Sequence, residues 1–225
     1  MNINLYIDGF NLYYCAVQGT RYKWLNLLVL SNTLFPNDTI HKIKYFSARV
    51  ESLPHDLNVP IRQDMYWRAL KTISQLEIIE GNFVSRPKLM AQYPLAYVNN
   101  DISKPPQKVQ IQKREEKKSD VNLASYLVYD NCMKDADKSV VISNDSDLTL
   151  AIELVTGGLN RPVVVVNPNR TSRLHANPKG CRMHKELKRV ATQPIYSIND
   201  SILAGSQFPQ TMTDAQGSFS KPPTW

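Results

Sequence analysis

Hydrophobic positions along the chain follow two rhythms in turn, a two-residue alternation or unbroken Val/Ile run and a three-to-four-residue spacing. Ile3, Leu5 and Ile7 alternate with polar residues and end on Asp8, which predicts a first strand over residues 3–8. Gly9-Phe10-Asn11 then turns into a helix carrying Leu12, Ala16 and Val17, with Asn11 as candidate N-cap. After a loop with Trp24 and an apolar patch from Leu25 to Leu34, residues 43–50 read as a second strand. Pro60 at a first helical position, followed by Ile61, Met65, Leu70, Ile73 and Leu76, predicts a helix over about residues 60–76. Residues 75–85 read as strand with a bend at Gly81. From Arg86 to Gln112 the rhythm fails at Pro87, Pro94, Pro105 and Pro106, which marks an insert near 87–112.

The second half repeats the pattern. Ser119 is the expected cap of a helix bearing Leu123, Ala124, Leu127 and Val128. Val140 to Ser143 is a continuous apolar strand, followed by a helix with Leu148, Ala151, Ile152 and Val155 that Gly157-Gly158 is expected to stop. Val163 to Val166 is another unbroken strand. Unbroken strands alternating with helices predict an α/β fold, a Rossmann-like three-layer α/β/α sandwich around a mostly parallel sheet. The basic segment 170–189 carries a short helix at 185–188. An edge strand at Ile195-Tyr196 and a helix over 197–204 complete a single domain over 1–205. Residues 209–225, mostly small, polar or proline, are expected to form a disordered tail.

Composition narrows the setting. At 225 residues with 42% apolar positions, the chain supports one sizeable core. No apolar run approaches the roughly 18–20 residues of a membrane span, so no membrane association is expected. Three widely separated cysteines, Cys15, Cys132 and Cys181, argue against a disulfide framework and for a reducing, cytoplasmic setting. A net charge of +7 makes a polyanion such as RNA or DNA an eligible partner.

The candidate chemistry lies where apolar strands stop on acids. Asp8 ends the first strand, Asp145 and Asp147 follow Val140 to Ser143, and Asp120 opens the intervening helix. In a parallel sheet these strand ends share one edge, where such folds bind ligands. Clustered carboxylates repel, and a hard divalent cation such as magnesium or manganese relieves the repulsion. The plainer reading is that Asp145 and Asp120 serve helix starts, where caps and the dipole favour acids. Asp8, followed by glycine, has no such evident structural duty. Lys117, Lys118, Arg49 and Arg62 flank the expected edge as candidate phosphate contacts, with surface charge as the alternative. His175, Cys181 and His184 form at most a weak zinc pattern. No G-x-G-x-x-G follows the first strand, which disfavours a dinucleotide oxidoreductase.

Three segments, Leu5-Tyr6-Ile7-Asp8-Gly9-Phe10-Asn11-Leu12, Lys117-Lys118-Ser119-Asp120-Val121-Asn122-Leu123-Ala124 and Ile142-Ser143-Asn144-Asp145-Ser146-Asp147-Leu148, resemble in order and spacing the signatures of NYN-domain proteins of the PIN-like nuclease superfamily. The resemblance implies a PIN-like fold and a metal-dependent endoribonuclease. Asp8, Asp120, Asp145 and Asp147 would then hold Mg2+ or Mn2+, supported by Asn11 and Ser143, with Asn144 at the substrate. Two departures stand out: Asn144 where family members commonly have glycine, and Ser125-Tyr126 where many carry another aspartate. The rival reading is a catalytically weak RNA-binding or partner-binding module of the same fold, and a homo-oligomer or an inhibitor protein is compatible with either. A Toprim-like phosphotransfer domain expects a glutamate where this chain has Asp8.

Overall fold

The computed structural model describes residues 1–225. The chain runs β1 (Asn2–Asp8), α1 (Gly9–Leu12) continuing as a π-helical turn to Val17, α2 (Leu27–Leu34), β2 (Thr39–Ser47), α3 (Val59–Leu70), β3 (Leu76–Glu80), β4 (Asn82–Ala91), β5 (Lys108–Lys117) and α4 (Ser119–Cys132). It continues with β6 (Lys138–Ile142), α5 (Thr149–Glu153), β7 (Val163–Val166), α6 (Thr171–Ala176), α7 (Lys185–Val190), β8 (Gln193–Ile195), α8 (Asp200–Gly205), β9 (Thr211–Asp214) and β10 (Gly217–Ser220). Six strands form one parallel sheet in the order β3-β2-β1-β6-β7-β8. The order reverses between β1 and β6, so the crevice at their carboxyl ends is the topological switch point of an open α/β sheet. This is the three-layer α/β/α arrangement that the apolar runs predict.

Alternate side chains of the central strands enter opposite layers. Ile3, Leu5 and Ile7 of β1 join Val140, Ile142, Val164 and Val166 in one core; Tyr6, Val141, Val163 and Val165 join the other with Leu123, Leu127 and Ile152. Burial on both faces explains why these strands read as near-continuous apolar runs. One charged pair is sealed inside the second layer. Lys44 of β2 pairs with Asp130 of α4, both buried, and Tyr6 donates its hydroxyl to Asp130 at 2.8 Å. The Lys44 ammonium also lies 4.3 Å from the centre of the Tyr126 ring. Tyr126 thus faces the sheet, covering a buried cation.

Several expected boundaries move. The second strand starts earlier, at Thr39, and α3 ends at Leu70. The strand expected over 75–85 breaks at Gly81, a crowded position where a β-carbon would fall 2.6 Å from Glu116 Oε1 and 2.7 Å from Lys117 O. Beyond it, the expected irregular insert is a long antiparallel ribbon, β4 against β5, with Pro87 opposite Gln112. A two-stranded ribbon has no inner strand, so a proline on an outward edge costs it no ladder bond. The segment expected to be a disordered tail forms the β9–β10 hairpin. Phe208, Phe219 and Trp225 pack around Trp24, and Arg68 of α3 grips Asp214 through two 2.7 Å bonds. No helix is long and apolar enough to cross a membrane.

Removing one member of a buried ion pair leaves the other without compensation, at a cost of about 3–5 kcal/mol. Asp130→Ala is therefore expected to lower the urea midpoint sharply, and Lys44→Met combined with Asp130→Leu to recover at least half of that loss. Equal midpoints for Asp130→Ala and the wild type would show that the pair does not support the fold.

Candidate active site at the carboxyl edge of the sheet

Asp8 ends β1 at the switch point, 6% exposed. Its two oxygens are both engaged: Oδ1 accepts from the Asn11 amide at 2.9 Å and Oδ2 from the Ser143 hydroxyl at 2.9 Å. Asp8 is thus the N-cap of α1, the position expected for Asn11. Asn11 instead spans the crevice, its Oδ1 accepting the Asn144 amide at 3.1 Å. Ser143 is fully buried and accepts the Asp145 amide at 3.1 Å, while Asp145 Oδ1 accepts the Asp147 amide at 3.0 Å and caps the turn that starts there. The ends of β1 and β6 are therefore one hydrogen-bonded unit.

Asn144 does not supply a left-handed turn; only Asn99, Asn100, Lys118, Lys134 and Asn160 among the non-glycine residues have positive φ. Its amide is a clamp, donating to the Arg182 carbonyl and accepting the His184 amide, both at 2.8 Å. This ties the basic 170–189 segment to the site. Ser119 does not cap α4 either. Lys118 occupies the cap position at φ 82°, and Glu116 Oε1 accepts both the Ser119 amide at 3.1 Å and the Ser119 hydroxyl at 2.6 Å.

Burial dominates the electrostatics of Asp8 and raises its carboxyl to about 6, against the lowering effect of its two hydrogen bonds; Asp120 and Asp145 add like-charge repulsion. Burial likewise raises Asp120, followed by repulsion from Asp145, Glu116 and Asp147. The acids thus gather at one edge, as expected. They do not assemble as metal ligands: no three His, Cys, Asp or Glu side chains anywhere in the chain are arranged to hold an ion. Asp8 directs both oxygens, and Asp145 one, at backbone amides and a hydroxyl. His175, Cys181 and His184 likewise form no such group.

The expected phosphate contacts are largely neutralised from within. Arg49 bonds Asp64 and Glu80 and lies over Trp67 at 4.9 Å, Arg62 pairs with Asp56, and Lys117 lies 3.6 Å from Glu115. Lys118 is exposed beside the start of α4.

Next to the acids lies a cavity of about 500 Å³, whose walls include Gly9, Phe10, Tyr13, Tyr45, Tyr66 and Trp67. Gly9 and Phe10 follow Asp8 directly and form the partition between the two. Gly9 has to be glycine, since a β-carbon there would lie 2.7 Å from both Phe46 O and the Tyr45 hydroxyl. Lys23, Tyr45, Tyr66 and Trp225 in these walls carry no motif and come from dispersed segments. Of these, Lys23 lies in a stretch dense in aromatic residues, 22–24.

No family model matches the chain. The resemblance to NYN-domain proteins therefore rests on its three segments. The chain is 29% identical over 248 aligned positions to 6-hydroxy-3-succinoylpyridine 3-monooxygenase HspA of Pseudomonas putida (strain DSM 28022 / S16), an alignment covering 100% of this chain and 75% of that protein. Among solved structures it is similar to a protein of unknown function, VPA0982 from Vibrio parahaemolyticus RIMD 2210633, with TM-score 0.52 and 15% identity over 88% of this chain and 93% of that one. The second likeness bears on the fold alone. The first corrects the expected function: a relative matched along this entire chain bears the name of an oxidoreductase, which overturns the metal-dependent endoribonuclease, and nothing favours the RNA-binding alternative in its place. The missing glycine motif argued against a nucleotide-binding loop, not against oxidoreductase chemistry.

An acid whose folded value is raised from 3.8 to about 6 stabilises the fold fully below its unfolded value and loses that contribution as pH rises through about 6. Asp8→Asn removes the penalty of ionising a buried carboxyl, up to about 3 kcal/mol. The variant is expected to melt several degrees above the wild type near pH 7.5 and level with it near pH 4. A variant less stable at both pH values would refute the assignment of a strained, buried carboxylate.

Proposed function

We propose that this protein is an oxidoreductase of the monooxygenase type, which hydroxylates a hydroxyl-bearing heteroaromatic ring held in the aromatic cavity beside Asp8. The alignment with HspA along the whole chain carries this reading. The cavity supports it, since about 500 Å³ lies within the usual ligand range of roughly 300–1,000 Å³. Tyr13, Tyr66 and Trp67 offer ring faces and edges for offset or edge-on stacking. The cavity lies at the carboxyl ends of β1 and β2, the edge at which open α/β sheets bind ligands.

In such a reaction one atom of dioxygen enters the substrate. The other leaves as water with two electrons and two protons. The electrons come from a soluble donor of the reduced-nicotinamide or reduced-flavin class. A resident dinucleotide does not fit the β1–α1 turn: the only glycine there is Gly9, and the Asp8 carboxylate already accepts the amide that a pyrophosphate would use. What the chain's own residues contribute is position and a proton acceptor. A ring hydroxyl that loses its proton makes the ring electron-rich and prone to attack by an electrophilic oxygen. Asp8, one residue before Gly9 of the cavity wall and with a carboxyl near 6, is ionised at neutral pH and basic enough to receive that proton, by relay since it does not itself line the cavity. Ser143 and Asn11 hold the carboxylate in place while it does so.

Incubation with 6-hydroxy-3-succinoylpyridine, labelled dioxygen and reduced nicotinamide with free flavin is expected to yield a product carrying one labelled oxygen. Its rate should rise through about pH 6, and Asp8→Asn should lower it about a hundredfold. Absence of labelled product from this and related hydroxypyridines under those conditions would refute the reading.

A further inference from the structure

The charges in the cavity wall say more about the ligand than its ring. Three cations, Lys23, Arg62 and Arg114, and two acids, Glu51 and Asp56, contribute to that wall. Arg62 is committed to Asp56. Arg114 lies 3.7 Å from Glu51 and donates to the Ser52 carbonyl at 3.3 Å. Lys23 has no acid within ion-pair distance and no hydrogen bond from its ammonium, although it is half-buried in a largely apolar wall. The wall is thus left with one unanswered positive charge.

An ammonium with no acid of the chain to pair with gains from an anion that enters with the ligand. We infer that Lys23 anchors a carboxylate on the ligand's side chain, so that the cavity takes aromatic acids carrying a single negative charge. The ring then lies among Tyr13, Tyr66 and Trp67, against the partition at Gly9 and Phe10 that adjoins Asp8. Lys23 enters from the segment that carries Trp24 and Leu25, whereas Gly9, Tyr45 and Ser47 enter from the sheet edge. A ligand with its acid on a short chain away from the ring matches these separate walls. The inference rests on the monooxygenase reading only for what happens to the ring; the carboxylate contact stands on the cavity itself.

The test compares 3-succinoylpyridine with its primary carboxamide, which has the same shape without the charge. Binding to the full-length protein is read by calorimetry and by the fluorescence of Trp67 and Trp225, both in the wall. The acid is expected to bind at least about tenfold more tightly than the amide. Lys23→Met should weaken the acid about tenfold and leave the amide unchanged, and Lys23→Arg should keep the preference. Should Lys23→Met lose the amide as well, Lys23→Gln decides by the same comparison. Equal binding of acid and amide, no binding of either, or a preference that survives both Lys23→Met and Lys23→Gln overturns the assignment. A Lys23-dependent preference without oxygen incorporation would sink the monooxygenase reading alone, and incorporation with a Lys23-independent preference would sink this one alone.

Discussion

The pairing of β1 with β6 is the constraint on which the rest depends. Leu5 faces Val140 and Ile7 faces Ile142 across it, and it is the point from which the strand order runs outward in both directions. Two strands buried on both faces can accept polar groups only where they emerge, and both emerge at the same edge. Asp8 and Ser143 meet there because each directly follows the last paired residues of the seam, Ile7 and Ile142. The hydrogen bond between them closes the seam that the apolar pairs begin. The raised carboxyls gather at that seam, and the cavity adjoins it on the β2 side.

Much of this frame was legible in the residues. Val140 to Ile142 and Val163 to Val166 announce buried parallel strands, and the acids after Ile7 and Ser143 announce a shared polar edge. What the acids do there was less legible. Repulsion among carboxylates suggests an ion to relieve it; not legible in the sequence was that a serine hydroxyl and backbone amides also bond Asp8 and Asp145. Capping, the plain reading of Asp145, holds in the structure and extends to Asp8. The β4–β5 ribbon was hidden because prolines erase the strand signal locally, although a ribbon edge tolerates them. The β9–β10 hairpin was hidden because its anchors, Phe219 and Trp225, are sparse in a polar stretch and acquire meaning only against Trp24, at the other end of the sequence. Cavity residues such as Lys23 and Tyr66 share no spacing, so their convergence is a product of topology.

The contrast between two lysines shows how one residue type serves two ends. Lys44 lies inside a helix–sheet interface with a carboxylate, a phenol hydroxyl and an aromatic ring around it, so its charge is answered in the folded chain. Lys23 stands in a wall with its charge unanswered. The first fixes how α4 lies on the sheet; the second leaves an interaction open for a molecule that arrives later. Tyr126 belongs to the first arrangement, and its position over Lys44 accounts for an aromatic residue where many NYN-domain proteins carry another aspartate.

The β4–β5 ribbon has a colloidal consequence. Its strands pair with each other alone, so each carries an outer row of backbone amides and carbonyls open to another chain, and Val84, Leu89, Met90, Val109 and Ile111 are exposed along it. Such an edge is a template for stacking one molecule on the next. Here it is interrupted by Pro87 and studded with Arg86, Lys88, Lys108, Lys113 and Lys117, whose like charges repel an approaching copy. Pro87, which obscures the ribbon in the sequence, is therefore also a residue that breaks up its open edge.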